Sequence, residues 1–76
     1  MKAIQSRMAR AALGWTTQNL ADNAGVGVNT VVRFEAGEDA RMSSVDKIRQ
    51  ALEAAGVIFI AENGDGPGVR LKGKNA

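Results

Sequence analysis

The chain contains no cysteine, no histidine and no tyrosine, a single proline, and three aromatic residues, Trp15, Phe34 and Phe59. Each absence removes a class of chemistry. Without cysteine there is no disulfide, and without cysteine or histidine a structural zinc site has no ligand set. Imidazole bases, thiolate nucleophiles and phenols are missing. A nucleophilic serine would need lysine or a carboxylate as its base, and nothing in the sequence places one beside Ser6, Ser43 or Ser44. The chain therefore reads as a non-enzyme, with no metal, no cofactor and no small-molecule ligand expected. Long apolar runs are missing too. The longest, Val57 to Ala61, falls far short of the roughly 20 residues of a membrane helix. The opening MKAIQSRMAR carries charges where a signal peptide has its apolar core. The expectation is a cytoplasmic protein without a membrane partner.

What is present is small and aliphatic. At 76 residues there is room for one domain, which buries only about 60% of its unfolded surface. Thirteen of the residues are alanine, so stability has to come from close helix packing, from oligomerisation, or from both. Ten basic against eight acidic residues leave a net charge of +2. That balance permits nucleic-acid binding without arguing for it, and the placement of the charges decides more.

Four segments read as helices. Over residues 3–13, Ile4, Met8, Ala11, Ala12 and Trp15 recur at helical spacing and predict the buried stripe, with Gly14 as the stop. Thr16 or Thr17 opens a short second helix that buries Leu20, Ala21 and Ala24, and Gly25 ends it. A third segment, bracketed by Gly25 and Gly37, has Val28, Val31 and Phe34 three apart and Asn29 and Arg33 four apart on one face. In isolation its valines also fit a strand. Ser43 or Ser44 opens a fourth helix, and Ser43 with Asp46 resembles a capping box. Val45, Ile48, Leu52 and Ala55 form its apolar stripe, closed by Gly56.

Two short helices joined through a glycine, the second polar at its start, form the helix-turn-helix pattern. In that pattern the second helix enters the major groove of duplex DNA with its first residues at base edges. Asparagine can pair bidentately with adenine and arginine with guanine, which singles out Asn29 and Arg33. Val28 points to a thymine methyl, and Thr30 to phosphate or base. By periodicity alone, the same residues also fit an ordinary solvated helix face.

The ordered set Ala9-Arg10, Leu13-Gly14-Trp15, Leu20-Ala21, Ala24-Gly25-Val26, Thr30-Val31 and Phe34-Glu35-Ala36-Gly37 resembles the phage-repressor and Cro-type (xenobiotic-response-element type) helix-turn-helix regulators. The resemblance spans about residues 3 to 55. It implies a mainly α fold, a lambda-repressor-like bundle of four helices, here followed by a C-terminal β-hairpin. It also implies base contacts from Val28, Asn29 and Arg33, backbone contacts from Thr17, Gln18, Thr30 and Arg41, and a structural ion pair between Arg10 and Glu35. Two positions depart from the family: Thr17 stands where glutamine is usual, and Gly27 where a hydroxyl residue caps the third helix. The implied activity is sequence-specific binding of double-stranded DNA by a homodimeric repressor on a partly palindromic operator, in a bacterial or phage protein.

The end of the chain changes texture. Val57 to Ala61 is a strand-type run, Asn63 to Gly68 a turn cluster, and Val69 to Lys72 an alternating strand. The turn lacks the lysine and hydroxyl ending of a phosphate loop, and Pro67 and Lys74 stand where a calcium loop needs ligands. The predicted organisation is a DNA-binding domain over 1–56, a hairpin over 57–72 that serves dimerisation, and a flexible tail over 73–76. The first strand is apolar on both faces, and a lone hairpin is barely stable. Ile58, Phe59 and Ile60 are therefore expected at an interface with a second copy. The alternative is a protein-interaction module, such as an antitoxin or anti-activator, whose scaffold or hairpin binds a partner protein. The low net charge and Glu38-Asp39 beside the third helix favour it.

Overall fold

The structure, a computed structural model, describes residues 1–73. The fold is mainly α: helices α1 (Ala3–Leu13), α2 (Thr17–Ala24), α3 (Val28–Glu35) and α4 (Met42–Ala54), then strands β1 (Val57–Ile60) and β2 (Gly68–Leu71). The strands pair antiparallel, with Val57 opposite Leu71, Ile58 opposite Arg70, Phe59 opposite Val69 and Ile60 opposite Gly68. Each strand starts or ends one residue away from its predicted bounds. Of the tail expected over 73–76, only Gly73 is described; the rest lies outside the described residues. Among the described residues no helix is long and apolar enough to cross a membrane.

The core joins all four helices and β1: Ala9, Leu20, Ala21, Val31, Ile48, Leu52 and Val57 are buried together. Alanines at 9 and 21 leave no long side chain between the axes at those points. Trp15, Val26, Phe34, Phe59 and Val69 pack around this centre, half-buried.

Two expectations need correcting. The buried side of α1 is not the Ile4–Met8–Ala11–Trp15 stripe. Ile4, Ala11 and Ala12 are exposed, Met8 and Trp15 only half-buried, and the buried residues are Gln5, Ser6 and Ala9. Polar side chains can hold that face because each finds a partner: Ser6 Oγ donates to Glu35 Oε2 at 2.6 Å, and Gln5 Nε2 donates to the hairpin. The second correction concerns α4. It begins at Met42 behind an extended Arg41, with no side-chain cap. Ser43 and Ser44 already lie inside the first turn, so the expected Ser43–Asp46 capping box does not form. Asp46 instead lies 3.5 Å from Arg49 one turn on.

Thr16 is the cap of α2. Its Oγ1 accepts from Asn19 N–H at 3.0 Å, and Asn19 Oδ1 accepts from Thr16 N–H at 3.0 Å, a reciprocal box that satisfies two otherwise free donors. Gly25 then takes a left-handed φ of 72°. An L side chain pays for that conformation, and glycine lets α2 stop and α3 start after only Val26 and Gly27. The strand alternative for residues 26–34 is not adopted: Val28–Glu35 form helix α3, bracketed on its far side by Gly37 with φ 89°.

Candidate nucleic-acid interface

The exposed side of α3 carries Asn29, Val32 and Arg33, and Ala36 continues it at the C-cap. This is one face by helical geometry, since the four positions are spaced three, one and three. Asn29 is at the amino end, in the first turn. Val32 was not singled out by the sequence pattern, yet it is 47% exposed between Asn29 and Arg33. The signal was available: Val31 fits the core stripe, so its β-branched neighbour has to face out. Val28 departs from the outward position expected for it. It is half-buried and packs against the core.

Arg33 is exposed and its Nε lies 3.5 Å from Glu38 Oε1. At that distance and exposure the pair is a weak tether that a competing anion can displace. The loop after α3 folds back toward it. Thr30, Arg33, Asp39, Ala40, Arg41 and Ser44 line one open cleft of ≈ 320 Å³ at the start of α4. The fold thus brings together three residues singled out from the sequence, Thr30, Arg33 and Arg41. The N–H groups of Met42 and Ser43 lie in the uncapped first turn of α4, where free donors and the helix dipole favour anions. Two carboxylates, Glu38 and Asp39, offset the two guanidinium groups of this region.

Thr17 and Gln18 sit at the start of α2 and not in the cleft. Thr17 is half-buried, and Gln18 is exposed with its Nε2 donating to Asp22 Oδ1 at 2.8 Å.

Behind this surface, Arg10 and Glu35 form the ion pair expected of them. Arg10 Nη2 lies 2.7 Å from Glu35 Oε1, and Nε lies 2.9 Å from Oε2. Their side chains are 20% and 5% exposed. Arg10 Nη1 also donates to the Trp15 carbonyl at 3.2 Å. The hydrogen bonds that Arg10 donates to the Glu35 carboxylate raise the pKa of the guanidinium above its ordinary value, against the opposing effect of burial. The pair ties the end of α3 to α1 and to the start of the α1–α2 connection, so it positions the exposed face without being part of it.

The remaining interface residues lie on the hairpin. Ile58 and Ile60 share its outer face, whereas the Phe59 side chain points to the core with Val57 and Val69. The three do not form one surface, because successive strand residues face opposite ways. No protein-family model and no curated protein sequence matches the chain.

Proposed function

We propose that this protein is a sequence-specific double-stranded DNA-binding transcriptional regulator. The observation that carries the reading is the α2–α3 pair, joined by three residues and buttressed by Arg10–Glu35, which leaves Asn29 and Arg33 exposed on one face of α3. Their side chains supply the bidentate groups that read adenine and guanine. Thr30 and Arg41, at the cleft rim, and Gln18, at the start of α2, serve the phosphate backbone, which fixes register and carries no sequence information.

In this reading the protein acts as a cytoplasmic homodimer, and occupancy of an operator represses transcription. The hairpin supports dimerisation through its backbone. The Lys72 N–H donates to the Gly56 carbonyl at 2.8 Å, which makes Ile58–Arg70 and Ile60–Gly68 the bonded pairs of the ladder. The N–H and C=O groups of Val57 and Phe59 then point away from β2, along an edge where no further strand pairs among the described residues. A second β1, antiparallel, satisfies them. Phe59 enters this interface by its main chain. Each copy measures 32 × 30 × 18 Å, a width that suits recognition helices roughly 34 Å apart in successive major grooves.

The test is selection of random duplex DNA at about 150 mM salt, with the Asn29→Ala/Arg33→Ala double variant in parallel. An enriched inverted repeat that the variant loses supports the reading. No enrichment by folded protein overturns it. A second reading, a protein-interaction module, is favoured by Glu38 and Asp39, which cancel the local positive charge where DNA would approach.

A further inference from the structure

The outer face of the hairpin has a composition that neither DNA nor a copy of itself satisfies. The ladder places Ile58 opposite Arg70 and Ile60 opposite Gly68, and Lys72 follows on the same side, opposite Gly56. Ile58 is 37% exposed, and Arg70 and Lys72 are exposed. Among the described residues, Lys2, Arg10, Arg33 and Arg49 each have a carboxylate within ion-pair distance, whereas Arg70 and Lys72, like Arg7, Arg41 and Lys47, have none. Glu62, just past β1, is held at 2.7 Å by Lys2. Gly68 leaves a notch beside Ile60: a Cβ built there would lie 3.9 Å from the Ile60 Cβ and Cδ1 atoms.

The surface therefore offers two isoleucines, an open notch, and two cations without partners among the described residues. Phosphate would use the cations and leave the isoleucines wet. A second copy stacked face to face would use the isoleucines and bring like charges together, which opposes association. A segment that is both acidic and apolar satisfies every group. We propose that this face, formed by Ile58, Ile60, Arg70 and Lys72, docks an acidic amphipathic peptide segment of a partner protein. Aliphatic side chains of the segment cover Ile58 and enter the notch beside Ile60, and its carboxylates pair with Arg70 and Lys72. The face is available in one copy and in an edge-paired dimer, so the inference does not rest on DNA binding.

A display library of random short peptides, selected against the full chain and titrated by NMR, tests this. The expected result is enrichment of peptides that combine Asp or Glu with Leu, Ile or Phe, with amide shifts confined to residues 57–60 and 68–72. The Arg70→Glu/Lys72→Glu variant should lose at least about tenfold in affinity and gain for peptides whose Glu is replaced by Lys. Because both side chains are exposed, this variant keeps the fold, and Gly68→Ala fills the notch at an ordinary contact distance as a second, independent probe. Failure to enrich any peptide overturns the proposal, as does enrichment of neutral or basic peptides. So do shifts that map to α3, or affinity unchanged by charge reversal. Tighter binding of phosphatidylglycerol vesicles through the same residues would assign the face to a membrane surface instead. A loss of duplex-DNA binding in the charge-reversed variant equal to that of Arg33→Ala would assign it to nucleic acid.

Discussion

The side-chain amide of Gln5 lies 3.0 Å from the Gly68 carbonyl, and the same nitrogen lies 3.1 Å from the Ile60 carbonyl. One buried glutamine on α1 thereby clasps both strands of the hairpin at their turn end. Its Oε1 accepts from Lys2 N–H at 2.8 Å, so every polar group of the side chain near the helix start has a partner. The hairpin is fastened to α1 by a specific polar contact, and to the bundle by Val57, Phe59 and Val69 at the core.

Replacing Gln5 with leucine should therefore loosen the hairpin more than the bundle. The two carbonyls keep their ladder bonds, so the expected cost is about 1–2 kcal/mol. Hydrogen exchange is the decisive measurement. Amides of 57–60 and 68–71 should lose protection while those of Leu20 and Leu52 follow only the global change. Uniform loss everywhere would show that the hairpin and bundle unfold as one unit.

Breaking the Arg10–Glu35 pair should be severe for so small a domain. Glu35→Ala leaves Arg10 without its anion and Ser6 without its acceptor, and the expected loss is about 3 kcal/mol by denaturant titration, toward the lower end for broken buried pairs because Arg10 is one-fifth exposed. Glu35→Gln keeps an acceptor for Ser6 and should cost less. Arg10 has its pKa raised in the fold. Its contribution is fully present below the ordinary arginine range and declines only as pH rises through the raised value. Raising the pH from 7 to about 10 should cost the wild type no stability through this pair.

Gly25→Ala probes the turn between α2 and α3. A Cβ at this position meets no atom within 4 Å, so the penalty is purely conformational, from φ 72°, and should be about 1–2 kcal/mol. Thr16→Ala should cost about 1 kcal/mol through loss of the cap to Asn19. Thr17→Ala, one residue on, should cost far less. Melting curves of the two threonine variants separate the roles directly.

On the DNA side, Arg33→Ala should lose about 1–3 kcal/mol on the selected operator and relax one base position. Arg41→Ala should weaken all sequences alike and make the salt dependence shallower. Glu38→Gln removes the carboxylate that tethers Arg33 at 3.5 Å. It should increase affinity by less than about 1 kcal/mol, since the pair is exposed. Equal losses on operator and random DNA for Arg33→Ala would refute base reading by that side chain.

Much of this architecture was legible from local pattern. Gly14, Gly25, Gly37 and Gly56 all adopt positive φ and mark helix ends, because an achiral residue is the cheapest way to leave a helix. Of the stripe Val45–Ile48–Leu52–Ala55, Ile48 and Leu52 are buried in the core as the spacing predicts, while Val45 and Ala55 are only half-buried, and the change from helical to alternating period at Gly56 marks the hairpin. The start of α4 was misread because serine followed by aspartate three residues on is a good capping pattern in isolation. The chain leaves the extended conformation two residues earlier than Ser43, with Arg41 at the cap position.

The α1 face shows where local pattern stops. Gln5 and Ser6 look like surface residues and Ile4 like core, and the opposite holds. Which side of α1 is buried depends on partners 29 to 63 residues away, Glu35, Ile60 and Gly68. Hydrophobicity cannot report a polar side chain whose hydrogen bonds are completed by distant segments. The order of elements, their approximate ends and the exposed pairing of Asn29 with Arg33 follow from periodicity and glycine, which act over a few residues. The inward turn of Val28 and Phe59, the cleft that joins Thr30 and Arg33 to Arg41, and the placement of two exposed cations beside Ile58 were decided only when the segments packed, because burial and charge pairing are properties of surfaces that meet.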